Sequence, residues 1–247
     1  MKVNKLLTLF LSASALLGCE VPVSSNEISS LPPKEKPLYC FLGSSVTYGF
    51  STNGISFVDL LPTKIECEVY KSAISGTTLV DNGRTSYVQR LMTNMPDERN
   101  VEHLIVQLST NDASQNKQLG EVTDAEEDTN FDVSTIAGAI EFIISYAKSA
   151  WDCDVSFYTN PYYGNEKYES MIALLYEIQE KWNIGIIDFY NYENMDELDE
   201  TTLKSFMSDT IHPNLKGYQW MSEIIAKYLK ERYEEKYPGY ILNTVSK

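Results

Sequence analysis

The chain has 247 residues, 43% of them apolar and 22% charged, which matches globular domains and excludes collagen, coiled coils and wholesale disorder. That length suits one domain with a short extension, and a core large enough to need no disulfide or metal staple. A formal net charge of −15 repels nucleic-acid backbones and anionic lipid, so neither a nucleic-acid partner nor a basic membrane patch is expected.

In chain order, Lys2 and Lys5 precede the apolar stretch Leu6 to Leu17, which is too short to span a bilayer and reads as an export signal. Leu16-Leu17-Gly18-Cys19 resembles a bacterial lipobox. The resemblance implies removal of residues 1–18, a diacylglyceryl group on Cys19, and an exported domain held at the cell membrane by its lipid alone. A plain secretory signal with an incidental Cys19 is the alternative. Residues 19–37, rich in Ser and Pro, read as a flexible tether, and the folded domain is placed at 38–247.

Leu38-Tyr39-Cys40-Phe41-Leu42, stopped by Gly43, is a continuous apolar run of the kind buried on both faces of a sheet. Similar runs lie near Ile65–Tyr70, His103–Leu108, Asp154–Tyr158 and Ile184–Phe189. Between them run helical stripes: Ile136, Ile140, Ile143 and Ala147; then Met171, Leu175, Ile178 and Trp182; then Met221, Ile224, Tyr228 and Arg232. The alternation predicts an α/β domain whose parallel sheet is covered on both faces, with ligands beyond the carboxyl ends of the strands. Asp112 to Asp132, crowded with Glu121, Asp124, Glu126, Glu127 and Asp128, reads as a solvated, mobile insertion, with a lid or cation site as the alternative. Cys40, Cys67 and Cys153 are odd in number and cannot all pair with one another; Cys40 and Cys67 sit in strand-like runs, which favours buried free thiols, and a Cys67–Cys153 bridge is the alternative.

Histidine is the usual base near neutral pH, and the chain has only two. His103 opens an apolar run, which favours a structural place. His212 lies in Asp209-Thr210-Ile211-His212-Pro213-Asn214, where a tight turn lets Asp209 hold one ring nitrogen and frees the other to take a proton from a hydroxyl. A helix-entry loop capped by Asp209 or Asn214 is the plainer reading of the same segment. Gly43-Ser44-Ser45-Val46-Thr47-Tyr48-Gly49 follows the first strand and puts a serine at the carboxyl edge of the sheet. Ile74-Ser75-Gly76-Thr77-Thr78 and Leu108-Ser109-Thr110-Asn111-Asp112 follow the next two strands, where a glycine N–H and an asparagine amide can meet developing negative charge. Each is separately also an ordinary turn. No Gly-x-Ser-x-Gly elbow is present, which disfavours the α/β-hydrolase family.

Taken together and in order, these segments resemble the SGNH, or GDSL-like, hydrolase family over about Leu38 to Tyr233. The resemblance implies a three-layer, flavodoxin-like α/β/α fold with a five-stranded parallel sheet of order 2-1-3-4-5. It implies Ser45 as nucleophile, His212 as base, Asp209 as its orienter, and the Ser45 and Gly76 N–H groups with the Asn111 amide as the oxyanion hole. It implies no metal and no organic cofactor. Two positions depart from the family pattern: Ser44 stands where aspartate is usual, and Ser109 where glycine is usual; serine tolerates φ > 0 poorly.

The expected reaction is ester hydrolysis through an acyl-enzyme. Export to the cell surface points to short acyl groups, O-acetyl esters of carbohydrate, and Pro161-Tyr162-Tyr163-Gly164 after the fourth strand reads either as rings that stack on sugars or as a plain Tyr-rich surface turn. A lysophospholipase or thioesterase, and a non-catalytic glycan-binding lipoprotein, are the alternatives. Oligomeric state is not legible.

Overall fold

A computed structural model describes residues 36–96, 100–126, 130–191 and 200–245. The leader 1–18, Cys19, the tether up to residue 35, and Glu127 and Asp128 lie outside the described residues.

Five strands form one sheet: β1 Leu38–Gly43, β2 Glu68–Ala73, β3 Val101–Gln107, β4 Asp154–Tyr158 and β5 Gly185–Ile187. All neighbouring pairs are parallel and the order is β2-β1-β3-β4-β5, the order expected. Side chains alternate across the sheet, so a strand buried on both faces is apolar throughout. Cys40 and Leu42 of β1 join Leu104 and Val106 of β3 and Val155 and Phe157 of β4 in one core. Tyr39 and Phe41 face the other way, with Ile105 and Tyr158.

Helices cover both faces. α3 (Tyr87–Asn94), α5 (Ile136–Trp151) and α6 (Glu166–Trp182) close the first core. α2 (Phe57–Leu60) and α8 (Leu215–Lys236) close the second. Short polar side chains start these helices by accepting orphan N–H bonds: Thr135 from Gly138 on α5, Asn165 from Tyr168 on α6, Asn214 from Lys216 and Gly217 on α8. Asp152 and Asn183 end α5 and α6 in the left-handed region, which such residues tolerate. Among the described residues, no helix is long and apolar enough to cross a membrane.

Three expectations need correction. The edge strand β2 starts at Glu68, because Ile65 leaves the sheet to bridge Thr244. The buried stripe of α8 runs through Tyr218, Met221, Ile225, Leu229 and Tyr233, so Ile224, Tyr228 and Arg232 sit at its margin. The acidic segment after β3 is solvated at Glu121, Asp124, Glu126 and Asp132, as expected, but it is anchored rather than free along its length. Asp112 is fully buried; Leu119 and Val122 pack on the core; and the Gln118 and Leu119 carbonyls accept from Ile136 and Ala137. Buried Glu141 on α5 accepts from the Thr123 N–H, the Lys181 ammonium and the Trp182 indole, and Lys181 also bonds the Thr123 carbonyl. Cys40, Cys67 and Cys153 are free and buried, and burial pushes each thiol up to about 12.

Candidate active site

β1 delivers Ser45 to the carboxyl edge of the sheet, where it opens the one-turn helix α1 (Ser45–Tyr48). The turn is tight. A Cβ at Gly43 would fall 1.7 Å from Thr47 Oγ1, so only glycine fits there. Gly49, at φ 92°, ends the turn by donating to the Ser45 carbonyl. Ser44, in the place of the usual aspartate, is fully buried against Gln107 of β3. Gln107 Oε1 accepts from the Ser44 N–H at 2.9 Å and the Thr47 hydroxyl at 2.9 Å, and Thr47 Oγ1 lies 2.6 Å from the Tyr158 hydroxyl. A neutral amide oxygen from the neighbouring strand thus fixes the loop.

The imidazole arrives from the far end of the chain. Residues 207–213 form a closed loop, with Met207 bridging Pro213 and the Ser208 N–H bonding the His212 carbonyl. Asp209 Oδ1 accepts from the backbone N–H groups of Ile211 (2.8 Å) and His212 (2.7 Å). Its Oδ2 lies 2.8 Å from His212 Nδ1, and His212 Nε2 lies 2.9 Å from Ser45 Oγ. Burial alone would raise the Asp209 carboxyl, but the two backbone donors and the imidazole outweigh it and hold its pKa below the usual value. The expected cap falls to Asn214, so Asp209 is free for the ring. An imidazole between a carboxylate and a hydroxyl is the geometry in which a serine loses its proton as it attacks.

Gly76 lies on the exposed loop after β2 at φ 80°, a conformation that favours glycine, with open space where a Cβ would stand. Asn111 is the second residue of α4 (Thr110–Ser114), after β3. Its Nδ2 donates to the Thr77 carbonyl at 2.9 Å, tying the two loops together and leaving a second amide hydrogen for a ligand. Ser109 sits at φ −76° and caps α4 by accepting from Asn111 and Asp112. The backbone here therefore needs no glycine, and the departure at 109 is sterically harmless. Asp112 accepts from the Leu79 and Val80 N–H groups and anchors the return of the Gly76 loop. Burial raises its pKa, although the Ser109 hydroxyl and those two N–H groups work against the rise.

Several contributors carry no local signal in the sequence. Gln107 and buried Asn160, which donates to the Ile211 carbonyl at 3.1 Å, act across the sheet edge. Phe50, 58% exposed, sets its ring 5.0 Å from that of His212. Beside Asp209 opens a mostly apolar cavity of about 490 Å³, whose lining includes Tyr162, Tyr163, Leu203 and Met207 beside the polar Lys204 and Ser208. The other histidine stays out of the site: His103 Nε2 meets Ser156 Oγ at 2.7 Å in the interior, and burial pushes its pKa down to about 4.

Comparison with solved structures finds the same fold at low identity. A member of the lipolytic protein G-D-S-L family from Veillonella parvula superposes with a TM-score of 0.56 at 16% identity, covering 78% of this chain and 97% of that one. The native aryl esterase of M. smegmatis gives 0.57 at 13%, covering 79% and 99%. A family two carbohydrate esterase from Clostridium thermocellum, in complex with cellohexaose, gives 0.59 at 16%, covering 83% and 66%. No curated protein matches the chain significantly in sequence. The GDSL-like lipase/acylhydrolase family model matches residues 39–225. The chain therefore belongs to the GDSL-like lipase/acylhydrolase family, whose members hydrolyse ester bonds.

Proposed function

We propose that the protein is a serine esterase that releases short acyl groups, O-acetyl above all, from carbohydrate through an acyl-enzyme. Ser45 Oγ attacks the ester carbonyl while His212 Nε2 takes its proton, and Asp209 holds the ring through Nδ1 and stabilises the imidazolium. The oxyanion is received by the Ser45 and Gly76 N–H groups and the free hydrogen of the Asn111 amide. His212 returns the proton to the departing alcohol, and water then releases the acid by the same steps in reverse. The observation that carries this reading is the unbroken chain of contacts from Asp209 through His212 to Ser45, 2.8 Å and 2.9 Å long.

Tyr162 and Tyr163 beside Asp209 favour a carbohydrate leaving group, since aromatic faces pack on sugar rings. Leu203 and Met207 in the same cavity favour a second reading, a longer acyl chain. Nitrophenyl esters from acetyl to decanoyl separate the two. The proposal expects kcat/KM to be greatest for acetyl; a steep rise towards decanoyl replaces it with the long-chain reading. We also propose that Cys19 is acylated and holds the domain outside the cell membrane, supported by the order of basic, apolar and lipobox segments. Cys19→Ser should release the protein in soluble form; retention in the membrane fraction would contradict the anchor.

A further inference from the structure

α3 buries a cation behind the catalytic loops. Arg90 is 2% exposed, and all five of its N–H groups are engaged. Nε donates to the Thr85 carbonyl at 2.9 Å. Nη1 donates to the Ser72 carbonyl at 2.6 Å and its hydroxyl at 3.0 Å. Nη2 donates to the Gly43 carbonyl at 2.8 Å and to Thr77 Oγ1 at 3.2 Å. None of these acceptors is a carboxylate. A buried charge without a counter-ion is a poor way to gain stability, since an apolar side chain of similar volume covers the same strands without the desolvation.

What the guanidinium does gain is geometry. One nitrogen, Nη2, bridges the end of β1, two residues before Ser45, to the residue after Gly76. The carbonyl of that same residue, Thr77, holds the Asn111 amide at 2.9 Å. Nη1 meanwhile fixes Ser72 at the end of β2, ahead of the Gly76 loop. The three proposed oxyanion donors stand on three separate strand ends; a planar fork with fixed angles joins the first two directly and reaches the third through Thr77, as a flexible ammonium does not. We infer that Arg90 is a positioning residue for acyl transfer, its guanidinium holding the Ser45, Gly76 and Asn111 elements in register. The inference rests on the serine-esterase reading above.

Arg90→Lys keeps the charge and loses the fork; Thr77→Val leaves Arg90 in place and removes the Nη2 bridge to the Gly76 loop along with the Thr77 hydroxyl's own bond to the Ile74 carbonyl, which Thr77→Ser keeps together with the bridge as the control. Both are measured on p-nitrophenyl acetate, with active sites titrated to completion by a fluorophosphonate, so that a misfolded fraction does not count. The expected result is a fall in kcat of about 10–10²-fold per titrated site with KM little changed, as for a misplaced catalytic group. Adding Arg90→Lys to Asn111→Ala should lower the rate by less than about threefold further, because both changes disable one unit. A merely structural role would lower the urea midpoint and the number of titratable sites, and leave kcat per site alone. Should Arg90→Lys not fold, Thr77→Val decides. Turnover within about twofold of wild type in Thr77→Val, or an Asn111 cycle that is fully additive, overturns the role of Arg90. Ser45→Ala separates the two claims: full activity in that variant sinks the esterase reading itself, whereas an inactive Ser45→Ala beside an undisturbed Thr77→Val sinks this inference alone.

Discussion

A methyl group on Gly43 would lie 1.7 Å from Thr47 Oγ1 and 3.0 Å from Gln107 Oε1. The nucleophile loop therefore rests on an absent side chain as much as on the hydrogen bonds to Gln107. Gly43→Ala should push Thr47 off Gln107 and Tyr158, cost about 1–3 kcal/mol of stability by overpacking, and reduce activity further than that loss alone explains. Urea titration beside kcat checks both; a fully active Gly43→Ala protein would show that the loop tolerates more shift than this packing allows. Gly76 is a different kind of glycine. Nothing crowds its missing Cβ, and its φ of 80° is the constraint. Ser45 was legible as a serine after an apolar run, and Asp209-x-x-His212 as a turn with a carboxylate three residues before a base. Gln107, Asn160 and Arg90 were not, because each acts on a partner more than ten residues away and no local pattern marks it.

Among the helices, those read correctly are long and periodic. α5 and α6 show their buried stripes because every turn meets the same sheet face. The α8 stripe was misplaced by about one position because Ile224, Tyr228 and Arg232 line its margin and carry enough carbon to resemble the core. The one-turn helices α1 and α4 leave no periodic trace, and their starts are set by tertiary contacts and caps. The acidic segment misled because its charges outnumber Leu119 and Val122, while the residues that pin it, Glu141 and Lys181, lie on helices far along the chain. Glu141→Gln weakens a buried charge-assisted bond to Lys181 and should cost about 1–3 kcal/mol. It should also speed hydrogen exchange at Thr123 while leaving turnover of acetyl esters intact. Unchanged exchange at Thr123 would mean that the segment is held by its apolar residues instead.

For the molecule as a whole, the sheet order and both cores followed from pattern and resemblance, while the pH response needed the structure. His103 is buried with its pKa pushed down to about 4, against about 6.5 in an unfolded chain. Between these values the unfolded chain carries a proton on this residue that the native protein refuses. Stability from His103 is thus complete above about pH 6.5, declines by about 1.4 kcal/mol per pH unit below it, and is lost by about pH 4. Urea titrations across that range should show the decline, and His103→Gln should flatten it by one proton. An unaltered slope would mean that His103 is protonated in the folded state as readily as in the unfolded one.

The contact between His212 and Ser45 joins residues 167 positions apart and is what turns a sheet edge into a reactive site. Fluorophosphonate labelling followed by peptide mass mapping reads that contact directly. The label should sit on Ser45 alone and form orders of magnitude more slowly in His212→Ala. Equal labelling of His212→Ala, or a label on Ser44 with Ser45 untouched, would contradict the account.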